Sequence, residues 1–306
     1  MNPAPGIPNG TNAMIVASQL SVVCGCIAAC RIATGWWWIV LCAVFLVTMN
    51  SAYFAIHEAE HGLLFSSRRV NDLAGTVLSL FLPASYTLIR SVHLAHHIHN
   101  RSDEEVFDMY FREDPAWWKK LQFFGILTGG FWLTVAMSNL ALALIPRHWL
   151  GRAMEIDRPS AAVMRYLNRR NPWRMRGESW MVLILHSAIA LSLGWASVRY
   201  AIMYAAFGVS WSTLQYVHHY ATCRDVLRGA KNLRYGPLLD RLWLNHGWHL
   251  THHLHPTVPW LHLQQVAGEQ EPRTESLGRA YLNMWRGPIL TDQHVKNRYD
   301  GNVAQL

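Results

Sequence analysis

Long apolar runs alternate with short charged stretches along this chain. A helix that crosses a bilayer needs about 20 mostly apolar residues. Residues 13–33 and 36–56 meet that length, with Gly35 and Trp36 to Trp38 at the turn between them. Residues 179–196 and 199–218 form a second pair. Two further apolar stretches, 73–89 and 121–145, are interrupted by Pro83 and by Gly129 and Gly130.

Lysine and arginine placement sorts these stretches, because cytoplasmic loops carry the excess of positive charge. Arg68 and Arg69 precede 73–89 and Arg90 follows it. Lys119 and Lys120 precede 121–145, and a run from Arg147 through Arg176 follows it. Both ends of each interrupted stretch look cytoplasmic, so neither is expected to cross. With four crossings, only Arg31 and Arg199 of the 27 basic residues lie on the outer side. Both chain ends are then cytoplasmic. The expected fold class is all-α: an integral membrane helical bundle with four spanning helices, two non-crossing apolar segments and a cytoplasmic, histidine-rich metal cap. Residues 1–306 are read as one domain, with a polar tail over 1–12, polar linkers over 98–118 and 147–178, and a C-terminal cytoplasmic tail over 263–306.

Composition agrees. Of 306 residues, 51% are hydrophobic and 15% charged, against about a quarter charged in soluble domains. The 15 tryptophans suit a membrane interface. The net charge of +8 does not point to nucleic acid, because the arginines flank apolar segments instead of forming a separate basic module. Five scattered cysteines make neither a disulfide framework nor a zinc-binding CxxC pair. The first residues lack a basic n-region, so no cleavable signal peptide is expected.

The chemistry lies in the histidines. His57 and His61 stand in HEAEH, His93, His96 and His97 in HLAHH, and His249, His252 and His253 in HLTHH. Read as helical, residues three and four apart share a face, so each cluster is expected to aim its imidazoles at one point. Imidazole ligates iron, zinc, copper and nickel. The predicted topology places all three clusters on one side of the membrane. In QYVHHY, His219 is four residues from Gln215 and is preferred as a ninth ligand over His218. Gln215 is then a hydrogen-bonding or water-bridged partner. No carboxylate recurs at ligand spacing, which argues against the Glu-x-x-His bundles of soluble di-iron proteins. Glu58, Glu60, Asp103 and Asp225 are candidates to accept hydrogen bonds from ligand imidazoles. His246, His255 and His99 flank the clusters, and His186 lies mid-span, where an inter-helix hydrogen bond is expected. His148, His262 and His294 carry no signal.

HEAEH, HLAHH and HLTHH, in this order between these spans, resemble the three histidine boxes of the membrane fatty acid desaturase–hydroxylase superfamily, HxxxH, HxxHH and HxxHH. The resemblance covers residues 35–262 and includes the closing stretch LNHGWHLTHHLHPTVPW. It implies two non-haem iron ions and O2-dependent oxidation, most simply desaturation, of an unactivated C–H bond in an acyl lipid, carrier-bound acyl group or free fatty acid. It also implies an external electron donor of ferredoxin, rubredoxin or cytochrome b5 type. The chain has no haem-binding module or cysteine cluster to replace one. Hydroxylase, acetylenase, terminal-alkene-forming decarboxylase and carotenoid oxygenase chemistry share these boxes. A histidine-rich metal or haem transporter is the alternative of another class, but its ligands are expected near the bilayer midplane. A bacterial inner membrane is the expected location.

Overall fold

Two helical hairpins carry the longest apolar helices. The computed structural model describes residues 6–146, 149, 165–167, 170–268 and 271–291. Helices α1 (Asn9–Ala29) and α2 (Gly35–His61) form the first hairpin. Helices α7 (Pro172–Leu193) and α8 (Ser197–Leu214) form the second. Together α7 and α8 span 43 residues of near-continuous helix, yet they are not one rod. Tyr200 Oη lies 2.5 Å from His186 Nδ1. In a straight helix, residues fourteen apart would be about 21 Å apart. The chain therefore reverses at Gly194, whose φ of 57° ends α7. Arg199 donates to the carbonyls of Cys30 (3.3 Å) and Ala33 (2.8 Å), and Arg31 to that of Ser192. Both hairpin turns thus lie at the same end, opposite the histidines.

The two interrupted stretches are sharply bent. Helices α3 (Arg68–Phe81) and α4 (Tyr86–His99) meet at 103°. Helices α5 (Ala116–Leu127) and α6 (Gly130–Leu144) meet at 90°, where Gly129 has φ 93°. A broken helix inside a bilayer must satisfy its freed backbone groups within the protein. His186 Nε2 donates to Leu80 O at 2.9 Å and Tyr204 Oη to Phe81 O at 3.0 Å. The mid-span histidine expected to bridge helices thus caps the tip of the α3–α4 re-entrant. The Glu178 carboxylate accepts from Thr87 N (2.8 Å) and Ser85 Oγ (2.8 Å) at the N-terminus of α4. At the second bend Ser212 Oγ donates to Ile126 O at 2.7 Å and accepts from Phe131 N at 3.2 Å.

Beyond the spans the chain builds a cap. It comprises β1 (Met109–Tyr110), β2 (Leu233–Arg234), α9 (Pro237–Leu242), α10 (His249–Leu254), α11 (Leu263–Ala267), β3 (Glu275–Ser276), α12 (Leu277–Met284) and β4 (Ile289–Leu290). The strands form two short parallel pairs, β1 with β4 and β2 with β3. Three expectations shift here. Helix α1 begins inside the expected N-terminal tail, because Asn12 is buried and donates to Leu64 O at 2.7 Å. The expected tail from 263 packs back onto the cap as far as 290, burying Leu263, Ala267, Ala280 and Met284. Residues 98–118 are tied into the core by Arg101, a fully buried guanidinium. Burial opposes its charge, but the Asp108 carboxylate beside it wins and raises its pKa. Most of the expected 147–178 linker lies outside the described residues, as do 292–306, His148 and His294.

Candidate metal centre

The nine preferred histidines converge, but not as three clusters. His57, His61, His93, His97 and His252 form one group, and His96, His219, His249 and His253 another, with candidate ligand atoms within 4.8 Å of one another in each. The expectation that each cluster aims at one point holds for His57 and His61 and is corrected for the second and third clusters. The pairs four apart stay together: His57 with His61, His93 with His97, and His249 with His253. Neighbours on a helix diverge by about 100°. Each HH doublet is therefore split, His96 from His97 and His252 from His253, so α4 and α10 each serve both groups.

The atoms face one another through Nε2. In the five-histidine group, His93 Nε2 lies 2.7 Å from His61 Nε2 and 3.1 Å from His97 Nε2, which lies 3.1 Å from His252 Nε2. His57 Nε2 is buried without a hydrogen-bond partner. In the four-histidine group, His249 Nε2 lies 3.0 Å from His219 Nε2 and 3.2 Å from His253 Nε2, which lies 3.3 Å from His96 Nε2. Two tautomers are fixed. His219 Nδ1 donates to Gly229 O at 2.8 Å, and His96 Nδ1 to a Glu105 carboxylate oxygen at 2.6 Å. A carbonyl and a carboxylate only accept here, so both Nδ1 atoms carry a proton, and in the neutral ring the Nε2 lone pair faces the group. Burial pushes His219, His249, His252 and His253 well below the usual histidine range, with the neighbouring imidazoles adding to it. They are neutral, the state in which imidazole binds a metal. Buried, neutral, convergent imidazoles without thiolates fit a metal site.

The remaining candidates separate clearly. His218 Nδ1 donates to Lys231 O at 2.9 Å, and its Nε2 accepts from Tyr235 Oη at 2.6 Å. Both nitrogens are used, it lies outside both groups, and burial pushes its pKa down to about 3. The preference for His219 was argued from a helix face, yet α8 ends at Leu214. His219 lies in a following turn, with its N–H on Tyr216 O at 3.0 Å. Gln215 engages Tyr53 Oη (2.6 Å) and Trp211 O (3.2 Å) and lines the adjoining cavity. Glu58 lies 3.9 Å from His57 Nδ1 and accepts from Trp260 N at 3.1 Å. Glu60 lies 3.8 Å from His93 Nδ1. His246 stacks on Phe54, with ring centroids 4.1 Å apart. Asp225 and Asp103 do not meet the imidazoles: Asp225 accepts from Leu227 N and Arg228 N, and Asp103 pairs with Arg224. His99 pairs with Glu104 at 3.3 Å, His255 is exposed and His262 is half-buried, away from both groups.

Glu105 was missed. It follows His96 by nine residues across the end of α4, so helical spacing carries no trace of it. Replacing Glu105 with glutamine keeps an acceptor but removes the charge. We expect metal affinity of the four-histidine group to fall by about 10–100-fold. Cobalt(II) titration reads this, and unchanged affinity would remove Glu105 from the role.

A cavity of about 410 Å³ joins the two groups to the hydrophobic interior. His57, His93, His96, His219 and His249 line one part, and Leu88, Ile89, Val135, Leu142, Trp211 and Leu214 are among its apolar walls.

A model of the fatty acid desaturase family matches residues 34–286. The chain belongs to the fatty acid desaturase family. It is also 26% identical over 270 residues to a protein named probable fatty acid desaturase from Sorghum bicolor, an alignment covering 79% of this chain. The chain spans 65% of the length of that relative. With its apolar hairpins, this desaturase-family chain is a membrane protein.

Proposed function

We propose that this protein is an O2-dependent, di-iron oxidoreductase that acts on an unactivated C–H bond of a fatty acyl chain, most simply by desaturation. The observation that carries the reading is one cavity bounded by histidines of both groups and by apolar side chains. His57, His61, His93, His97 and His252 would hold one iron, and His96, His219, His249 and His253 the other. Bound iron supplies the oxidising power that side chains lack. The residues do the rest. Leu88, Ile89, Val135 and Leu142 bind methylenes by burying them. The Trp211 and Leu214 side chains keep water from the acyl chain. Gly229 O and Glu105 hold protons on Nδ1 of His219 and His96, so that Nε2 faces the metal. Expression in a host of known lipid composition, followed by lipid extraction and mass spectrometry, tests the reading. A new double bond is expected; a hydroxyl, alkyne or terminal alkene would redirect it within the same chemistry. Unchanged lipids with metal- or haem-dependent uptake would favour a transporter.

Arginine distribution supports a cytoplasmic histidine side, and the membrane we propose is a bacterial inner membrane. A cysteine introduced at residue 34 or 198, in a variant stripped of its own cysteines, should be labelled from the outer side. Labelling only from inside would invert the orientation.

Turnover should require a separate reduced ferredoxin, rubredoxin or cytochrome b5. Arg228, Arg234, Arg241, Arg279 and Arg286 are exposed on the segments around the histidines. A small acidic donor would be steered toward them, over about 8 Å at physiological ionic strength. With the donor below saturation, the rate should fall as salt rises. A flat salt profile would remove these arginines as the dock, and turnover without any reductant would contradict the oxidase chemistry.

A further inference from the structure

The four-histidine group is assembled from three segments. His96 comes from α4 and His249 and His253 from α10, which are helices. His219 comes from the turn after α8, which no regular ladder holds in place. Lys231 N donates to His218 O at 3.0 Å, and a buried ion pair grips the turn from the other side. Arg101, two residues beyond the end of α4, puts Nη1 2.5 Å from Asp108 Oδ1 and 2.8 Å from Tyr216 Oη. Its Nη2 donates to Thr222 O at 2.9 Å and its Nε to Cys223 O at 3.3 Å. The second oxygen of Asp108 accepts from Ala221 N at 2.7 Å, and the first accepts from Tyr216 Oη at 2.7 Å. The pair therefore grips the turn on both sides of His219, at residues 216 and 221–223.

Two features show how closely this clamp is fitted. Arg101 and Ala221 hold φ of 62° and 56°, left-handed values that side chains other than glycine and asparagine rarely adopt. Gly229, whose carbonyl receives His219 Nδ1, touches the clamp itself: a Cβ there would lie 2.2 Å from Arg101 Cγ and 2.4 Å from Asp225 O. Asn100, between the box helix and Arg101, donates to Val226 O at 2.9 Å and Gly229 O at 3.4 Å. The guanidinium thus holds the backbone that carries His219, while the acceptor that orients it packs against the Arg101 stem and accepts from Asn100 and Thr222 Oγ1. The five-histidine group draws on α2, α4 and α10 and takes nothing from this turn.

We propose that the Arg101–Asp108 ion pair is a positioning device for His219, and through it for the four-histidine group alone. This rests on the reading of both groups as metal sites. A buried pair exchanged for apolar residues of similar volume often leaves stability unchanged, whereas removing one partner strands a charge. The test is therefore the double variant Arg101→Met with Asp108→Leu, which keeps the volume and loses every hydrogen bond to the turn. Tyr216→Phe is its companion, since it leaves the ion pair intact and removes one strut. The purified full-length protein, stripped of metal, is titrated with cobalt(II) and followed by its visible absorption. His61→Ala and His253→Ala assign the two equivalents.

The wild type should take up two equivalents. The double variant should bind the five-histidine equivalent as the wild type does, and the other about 10–100-fold more weakly. Tyr216→Phe should shift the same equivalent by less. Wild-type binding of both equivalents in the double variant overturns the proposal. So does parallel loss of both in either variant, which would make the pair a general element of the fold. A wild type that binds no second equivalent fails earlier: it refutes the two-metal reading on which the clamp depends, and is seen before any variant is measured.

Discussion

Alanine at His97 and alanine at His253 should each abolish turnover while removing different metal ions. The two rings stack, with centroids 4.4 Å apart and planes 24° apart, yet they belong to different groups. His97 Nε2 faces His93 and His252, and His253 Nε2 faces His249 and His96. Loss of either imidazole leaves its own group one ligand short and the other group intact. Anaerobically prepared, iron-supplemented protein should hold about two irons per chain in the wild type, about one in each single variant and almost none in the double variant. Turnover should fall by more than about 100-fold in each, because removing a ligand exceeds the about 10–100-fold cost of disturbing its hydrogen-bond partner. The protein should remain in the membrane, since neither residue lies in one of the two long hairpins. His262, half-buried, outside both groups and bonded to Gln265 and Gly6 O, is the control. Replacing it should change neither iron nor rate. A reproducible single zinc in the wild type, or equal iron in all four proteins, would end the di-iron reading.

The sequence made much of this arrangement legible, for reasons that can be located. The hairpins were readable because a bilayer demands long apolar runs, and Gly35 and Gly194 adopt left-handed φ at the two reversals. The breaks in the two interrupted segments were readable because Pro83 and the Gly129–Gly130 pair interrupt helices. Box membership was readable from spacing. The partition into two groups was not read, although the spacing contained it: residues four apart share a face and adjacent residues do not. What spacing could not contain was anything that depends on distant segments meeting. Glu105 reaches His96 across the end of α4, and Gly229 orients His219 from ten residues further on. Arg101 in a polar stretch looks like a linker residue until Asp108 and Tyr216 bury it. The polar character of 98–118 and 263–290 suggested solvated segments. It reflects side chains that pair within the cap, such as Lys231 with Glu275 and Arg273 with Asp240.

His219 and His218 give the sharpest contrast between neighbours. His219→Ala should remove the iron of the four-histidine group and abolish turnover, while His218→Ala should keep both irons and lose stability instead. The rings leave the chain in different directions. His219 Nε2 lies 3.0 Å from His249 Nε2, whereas His218 spends both nitrogens on Lys231 O and Tyr235 Oη. Removing His218 strands the buried Tyr235 hydroxyl, a loss of about 1–3 kcal/mol, and frees the part-buried Lys231 carbonyl. That should appear as a lower melting temperature at wild-type iron content, with turnover reduced in step with the folded fraction. Glutamine at His218 offers an amide donor and acceptor and should recover part of the stability. Glutamine at His219 should recover none of the iron, because an amide oxygen is a poor substitute for imidazole in an all-nitrogen site. Iron content and melting temperature therefore move independently in the two positions, and a folding defect cannot imitate a missing ligand. If His218→Ala were the variant that loses iron while His219→Ala kept it, the ninth ligand would be His218. The Gly229 and Lys231 carbonyls would then have to exchange partners, and the turn that Arg101 holds would have to be rebuilt.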